Sequence, residues 1–185
     1  ACPAANQVAA AGALSGGCAT CEAGSAPDTE KGRCETCEAG KHAEAAAAAC
    51  TPCDVGWVAT PGQAHCSQCP AGKHVDHPDN STCLQCEPGK YSHAGAIECA
   101  GQCEDNEVSE RGSSQCTECE GGRVPNADRS YCKMCDPGTF RAANSPDGNC
   151  TQCEAGHVAH GFVASECEAC PAGCREEGRS SCVLC

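Results

Sequence analysis

A cysteine pair spaced C-x-x-C returns about every 16 residues along this chain, and no other feature restricts its fold so strongly. Ten such pairs occur: Cys18/Cys21, Cys34/Cys37, Cys50/Cys53, Cys66/Cys69, Cys83/Cys86, Cys116/Cys119, Cys132/Cys135, Cys150/Cys153, Cys167/Cys170 and Cys182/Cys185. Cys99/Cys103 is the same joint with one residue more. A sustained short period means a chain of small units, each expected to touch only its neighbours. With 24 cysteines in 185 residues, a disulfide scaffold is the default architecture. Leu, Ile, Val and Phe together number only 15, so the 40% hydrophobic fraction is mostly Ala and Cys. That bulk cannot offset chain entropy in a conventional core, and cross-links must replace it.

Three further positions keep the register. The residue after the second cysteine is usually acidic: Glu22, Glu38, Asp54, Glu87, Glu104, Glu120, Asp136 and Glu154, with Pro70 the exception. Three residues after that cysteine stands glycine, as in Gly24, Gly40 and Gly56, replaced once by Asn106. Glycine and asparagine both tolerate positive φ, so a left-handed turn is expected at every one of these positions. Five residues after the cysteine comes the bulkiest group of many repeats, such as Val58, Tyr91, Val124 and Phe140, with His42 and His74 as amphipathic stand-ins. One such group covers a disulfide but makes no core. Between these marks lie Gly, Pro, Ser, Asp and Asn, which predict short two-stranded ribbons and turns. The alanine run 43–49 is too short and too tightly closed to hold a full helix.

Sequence cannot prove connectivity, but loop lengths favour pairing the second cysteine of each joint with the first of the next. The bridges are then Cys2–Cys18, Cys21–Cys34, Cys37–Cys50, Cys53–Cys66, Cys69–Cys83, Cys86–Cys99, Cys103–Cys116, Cys119–Cys132, Cys135–Cys150 and Cys153–Cys167. Each loop contributes roughly 3 kcal/mol in the chain-entropy model. The last four cysteines are expected to cross as Cys170–Cys182 and Cys174–Cys185. Bridges closed inside the C-x-x-C joints are the alternative that disulfide mapping would reveal.

Cys-Pro-Ala-Gly-Lys-His at 69–74 and Cys-Glu-Pro-Gly-Lys-Tyr at 86–91, each loop ending in C-x-x-C, resemble the ephrin-receptor-like cysteine-rich repeat. They are also similar to the single-disulfide module of tumour necrosis factor receptors, and 153–185 looks like a complete receptor-type domain. The resemblance implies an extracellular module found in animal receptors, protist surface antigens and algal cell-surface or flagellar-hair proteins. The expected fold is a small disulfide-rich, elongated rod of tandem loops with little helix. Its segments are an N-terminal loop (1–20), tandem single-disulfide repeats (21–152) and a terminal module (153–185).

Chemistry is sparse. Paired C-x-x-C motifs suggest zinc, but a zinc ribbon separates its halves by about 15–20 residues, and these pairs are not grouped in twos. One C-x-x-C makes a redox site; ten on a loop-rich chain make a scaffold. No nucleophile, base and orienting acid recur together, so no enzyme and no organic cofactor are expected. The seven histidines read as surface or disulfide-packing groups. The acidic ladder is foremost a solvated face, with calcium bridging as its sharper reading and Glu104, Asp105 and Glu107 as the best calcium ligands. Glu38 with Lys41, Glu87 with Lys90 and Glu120 with Arg123 are expected local ion pairs. Asn80-Ser81-Thr82 and Asn149-Cys150-Thr151 are N-glycosylation sequons, implying an N-linked glycan.

A net charge of −13 without a basic stripe excludes nucleic acid and anionic membrane surfaces as partners. No run approaches the ~20 apolar residues of a membrane span. So many thiols require an oxidising compartment, and a secreted or cell-surface location is expected. Function then divides in two. A structural block of a stalk, filament or flagellar hair would self-associate through its repeating face. A receptor ectodomain or adhesin would instead grip a protein ligand through an irregular patch, with Trp57, 140–149 and the terminal cysteine unit as candidates.

Overall fold

The computed structural model describes residues 2, 4–9, 17–30, 32–143 and 145–184. Among them there is no helix, and eleven two-stranded antiparallel ribbons follow one another, each strand two to four residues long. The first strand of a ribbon starts after the turn that follows the joint. The second lies within the next joint, as Thr51–Pro52, between Cys50 and Cys53, pairs with Lys41–His42. Strands this short are marginal by themselves, and one bridge closes each loop.

Ten bridges are seen directly. Nine are the expected loop closures, from Cys2–Cys18 to Cys153–Cys167, and the tenth is Cys170–Cys182. Cys86 and Cys99 are also disulfide-bonded. Cys174 carries a free Sγ, and its expected partner, Cys185, lies outside the described residues. The alanine run contains a turn and no helix, with Ala47 N–H donating to the Glu44 carbonyl at 3.0 Å.

The chain divides into two compact units, one of Ala1–Gln85 with Ser92–Cys99, the other of Cys86–Tyr91 with Ala100–Cys185. Both use the same grammar. The second cysteine of most joints is the buried one: Cys37, Cys69, Cys119 and Cys153 are at most 1% exposed, while Cys53 and Cys170 are half-buried. The turn glycine donates its N–H to a carbonyl of the next loop, as Gly24 does to Ala43 at 2.7 Å in the first unit and Gly122 to Arg141 at 2.8 Å in the second.

The glycine has a second task that the repeat pattern did not disclose. A Cβ on Gly24 would strike the backbone of Gly62, and one on Gly122 the backbone of Val163, each two loops ahead. Gly24 at φ +82° and Gly122 at φ +74° therefore need glycine for conformation and for room. The expectation that each unit touches only its neighbours is corrected here: loops pack against the next and the next but one. The expected left-handed turn at Asn106 is also corrected. The described non-glycine residues with positive φ are Ala46, Asn80, Arg129, Val163 and Arg179, and Asn106 is not among them.

Candidate functional site

Side chains five and six residues after the second cysteine supply much of the buried interior in each unit. The fifth was expected to cover a disulfide, and at Val58, His42 and His74 that disulfide is the next loop's. Val58 packs with Cys69, Cys83 and Val75. His42 Nδ1 lies 3.1 Å from Cys66 Sγ, and His74 Nδ1 stands at the same distance from Cys99 Sγ. His42 with Cys53 and Cys66 has a metal-like grouping, but both sulfurs are bridged. A thiolate is what binds metal, so the imidazole here is packing.

The sixth position supplies a second set of buried residues in each unit, which the sequence reading missed. It holds Ala43, Ala59, Ser92, Ser109 and Ala159, none more than 4% exposed. These small residues let the loops approach. Ser92 and Ser109 each donate Oγ–H to a carbonyl of the preceding loop, Lys73 at 2.9 Å and Lys90 at 3.0 Å. Arg141 occupies this position too and is 1% exposed. Its guanidinium donates to the carbonyls of Asp147, Cys119, Glu120, Arg123 and Ser145 at 2.6 to 3.3 Å. Among the described residues no carboxylate pairs with it; carbonyl dipoles solvate the charge, which holds only while all of them converge. A lone Arg at a place where the other repeats carry Ala, Ser, Val or Pro was the available signal.

The acidic ladder is exposed at every step from Glu22 to Glu154. Of the expected pairs, Glu38–Lys41 forms at 3.0 Å, while Glu87 turns to Arg111 at 3.1 Å. No ion pair joins Glu120 to Arg123 among the described residues. Trp57 is 36% exposed and shares a shallow hollow with His42, Pro52 and Cys66. The sequons differ in access. Asn149 is exposed; Asn80 is half-buried in a left-handed turn with its Oδ1 enclosed.

The Cys103–Cys116 loop departs from this grammar. Glu104, Asp105 and Glu107 line one hollow with Asn106, Glu118, Ser145 and Pro146, but their carboxylates do not group within 4.8 Å of one another. Asn106 is 7% exposed, donates Nδ2–H to Glu118 Oε1 at 2.7 Å, and has a buried Oδ1 without a partner. Arg129 Nη2 donates to Asp105 Oδ1 at 2.9 Å, and its Nη1 caps the Cys103 carbonyl. Glu104 N–H donates to Glu107 Oε2 at 3.2 Å.

No family model matches this sequence, and no curated protein matches it. No helix among the described residues is long and apolar enough to cross a membrane.

Proposed function

We propose that this chain is an extracellular structural protein, a repeat block of a stalk, filament or flagellar-hair-like surface appendage whose copies associate. The observation that carries this reading is the repetition of one contact set. The turn glycine feeds the next loop in both units, and the loop after next closes over it. Such a lattice of short links resists local opening without needing a ligand. Its many bridges fit an oxidising, extracellular setting, and the exposed acid that recurs from loop to loop offers a repeated contact to copies of itself. The cysteine-rich surface modules that the repeats resemble agree with that setting. An N-linked glycan fits Asn149 better than Asn80, because transfer requires an accessible amide.

Electron microscopy of the native, unreduced material tests the reading. Regular filaments with an axial repeat are expected. Separate single particles at every concentration would overturn self-association. They would favour the receptor or adhesin reading, for which exposed Trp57 in its hollow is the specific observation.

A further inference from the structure

A bridge is cut by thiols only if one sulfur can be attacked and the other can leave. Most loops here fail the second condition. The first cysteine, such as Cys34, Cys50 or Cys83, is within reach of solvent, but its partner (Cys21, Cys37 or Cys69) is buried. Burial raises a thiol's pKa, and a sulfur of high pKa leaves slowly. The Cys53–Cys66 bridge is built otherwise: both of its cysteines are half-buried. Cys66 also lines a hollow with His42, Pro52, Asp54 and Trp57.

The side chain over this bridge differs as well. Val58 packs on Cys69 and Cys83, so a plain apolar group is enough to cover a disulfide. Over Cys53–Cys66 stands His42, with Nδ1 3.1 Å from Cys66 Sγ. With its proton on Nδ1, the ring donates a hydrogen bond to that sulfur. Such a donor stabilises a thiolate, a service that valine cannot give. Two other places carry half of this arrangement. Cys170 and Cys182 are both half-buried, but among the described residues neither touches an imidazole. His74 Nδ1 lies 3.1 Å from Cys99 Sγ, but Cys86, the cysteine that the loop pattern pairs with Cys99, is buried and closed to attack.

We infer that Cys53–Cys66 is a redox-active bridge, opened by an external dithiol ahead of the other bridges, with His42 assisting the departure of Cys66. One thiolate of the dithiol attacks Cys53 Sγ. A mixed disulfide forms there as the Cys53–Cys66 bond breaks, and the electron pair of that bond passes to Cys66 Sγ beside the imidazole N–H. The second thiolate then attacks the dithiol's own sulfur in the mixed disulfide and releases Cys53. The dithiol ends as a disulfide, having given two electrons, and its two protons end on Cys53 and Cys66. Closing the bridge again runs the same steps backwards.

The test is limited reduction of the oxidised, full chain by dithiothreitol without denaturant, with timed alkylation and peptide mapping. Cys53 and Cys66 should be labelled first, about tenfold faster or more than Cys170 and Cys182, the open bridge without imidazole. His42→Val, which installs the residue that Val58 supplies elsewhere, should slow their labelling about tenfold. His42→Phe, which keeps a ring but no N–H, should slow it likewise. A merely packing role predicts the opposite sign, because a loosened contact exposes the bridge and speeds its opening. His74→Val should leave the Cys53–Cys66 rate as in the parent. Mapping each variant before reduction confirms the native bridges. Labelling of Cys53 and Cys66 no faster than that of Cys170 and Cys182 would overturn the assignment. So would an unchanged or faster rate in both His42 variants, or equal slowing in His74→Val.

Discussion

Two joints show two kinds of donor at a buried carbonyl. In the first unit, the carbonyl of Cys37 accepts from the backbone N–H of Gly62 at 2.9 Å. In the second, the carbonyl of Cys119 accepts from Arg141 Nη1 at 3.0 Å. A buried carbonyl at a joint needs a donor whatever the local sequence. Where the following loop presents a left-handed glycine, as at Gly62 with φ +81°, the main chain itself supplies it. At Cys119 a side chain reaches in and collects the carbonyls of Ser145 and Asp147 as well. The backbone solution is modular, and the arginine solution concentrates several contacts in one residue.

The comparison breaks most visibly at Arg141. Arg141→Ala should lower the stability of the oxidised protein by about 3–5 kcal/mol, because five carbonyls lose their donor together. Urea unfolding without reductant measures this. Arg141→Lys should recover less than about half, since an ammonium cannot span the guanidinium fork; full recovery would mean that charge alone matters. Gly62→Ala attacks the backbone version and should cost about 1–2 kcal/mol through its positive φ.

Ala46 sharpens the contrast, because its N–H caps the Cys21 carbonyl at 2.9 Å from the same left-handed conformation, φ 62°, without being glycine. Ala46→Gly should therefore stabilise by about 0.5–1 kcal/mol, a gain that a relaxed alanine would not show. The smallest effect concerns the turn that presents Arg129. The hydroxyl of Ser130, and then its N–H, hold the Asp128 carboxyl below its ordinary pKa. A lowered folded pKa stabilises above the ordinary carboxylate value, and that contribution fades as pH falls through the lowered one. Ser130→Ala should return the Asp128 titration toward the ordinary value, as read by NMR.

Phased residues made the scaffold legible. Covalent geometry admits few pairings for loops this short, and a fixed glycine marks a fixed turn, so bridges and ribbons follow from spacing. What stayed hidden depends on residues with no period. Arg141 is one basic residue among 12, and only the folded structure shows that it is enclosed. Of the acid-lined hollow, Glu104, Asp105 and Glu107 could be read as a run. Glu118 could not, since its place opposite Glu107 depends on ribbon register. Asn106 misled because the residue that best imitates glycine in a turn is also an amide able to enter the interior.

The small separation across each bridge has a mechanical consequence. In the Cys21–Cys34 loop the two Cα atoms lie 5.6 Å apart, while the 13-residue path between them would stretch to about 45 Å. Pulled from its ends with the bridges intact, the chain can yield almost no length at that loop. Each bridge cut by a reductant would release roughly 40 Å of slack, so an inextensible strand becomes a long, compliant one in counted steps.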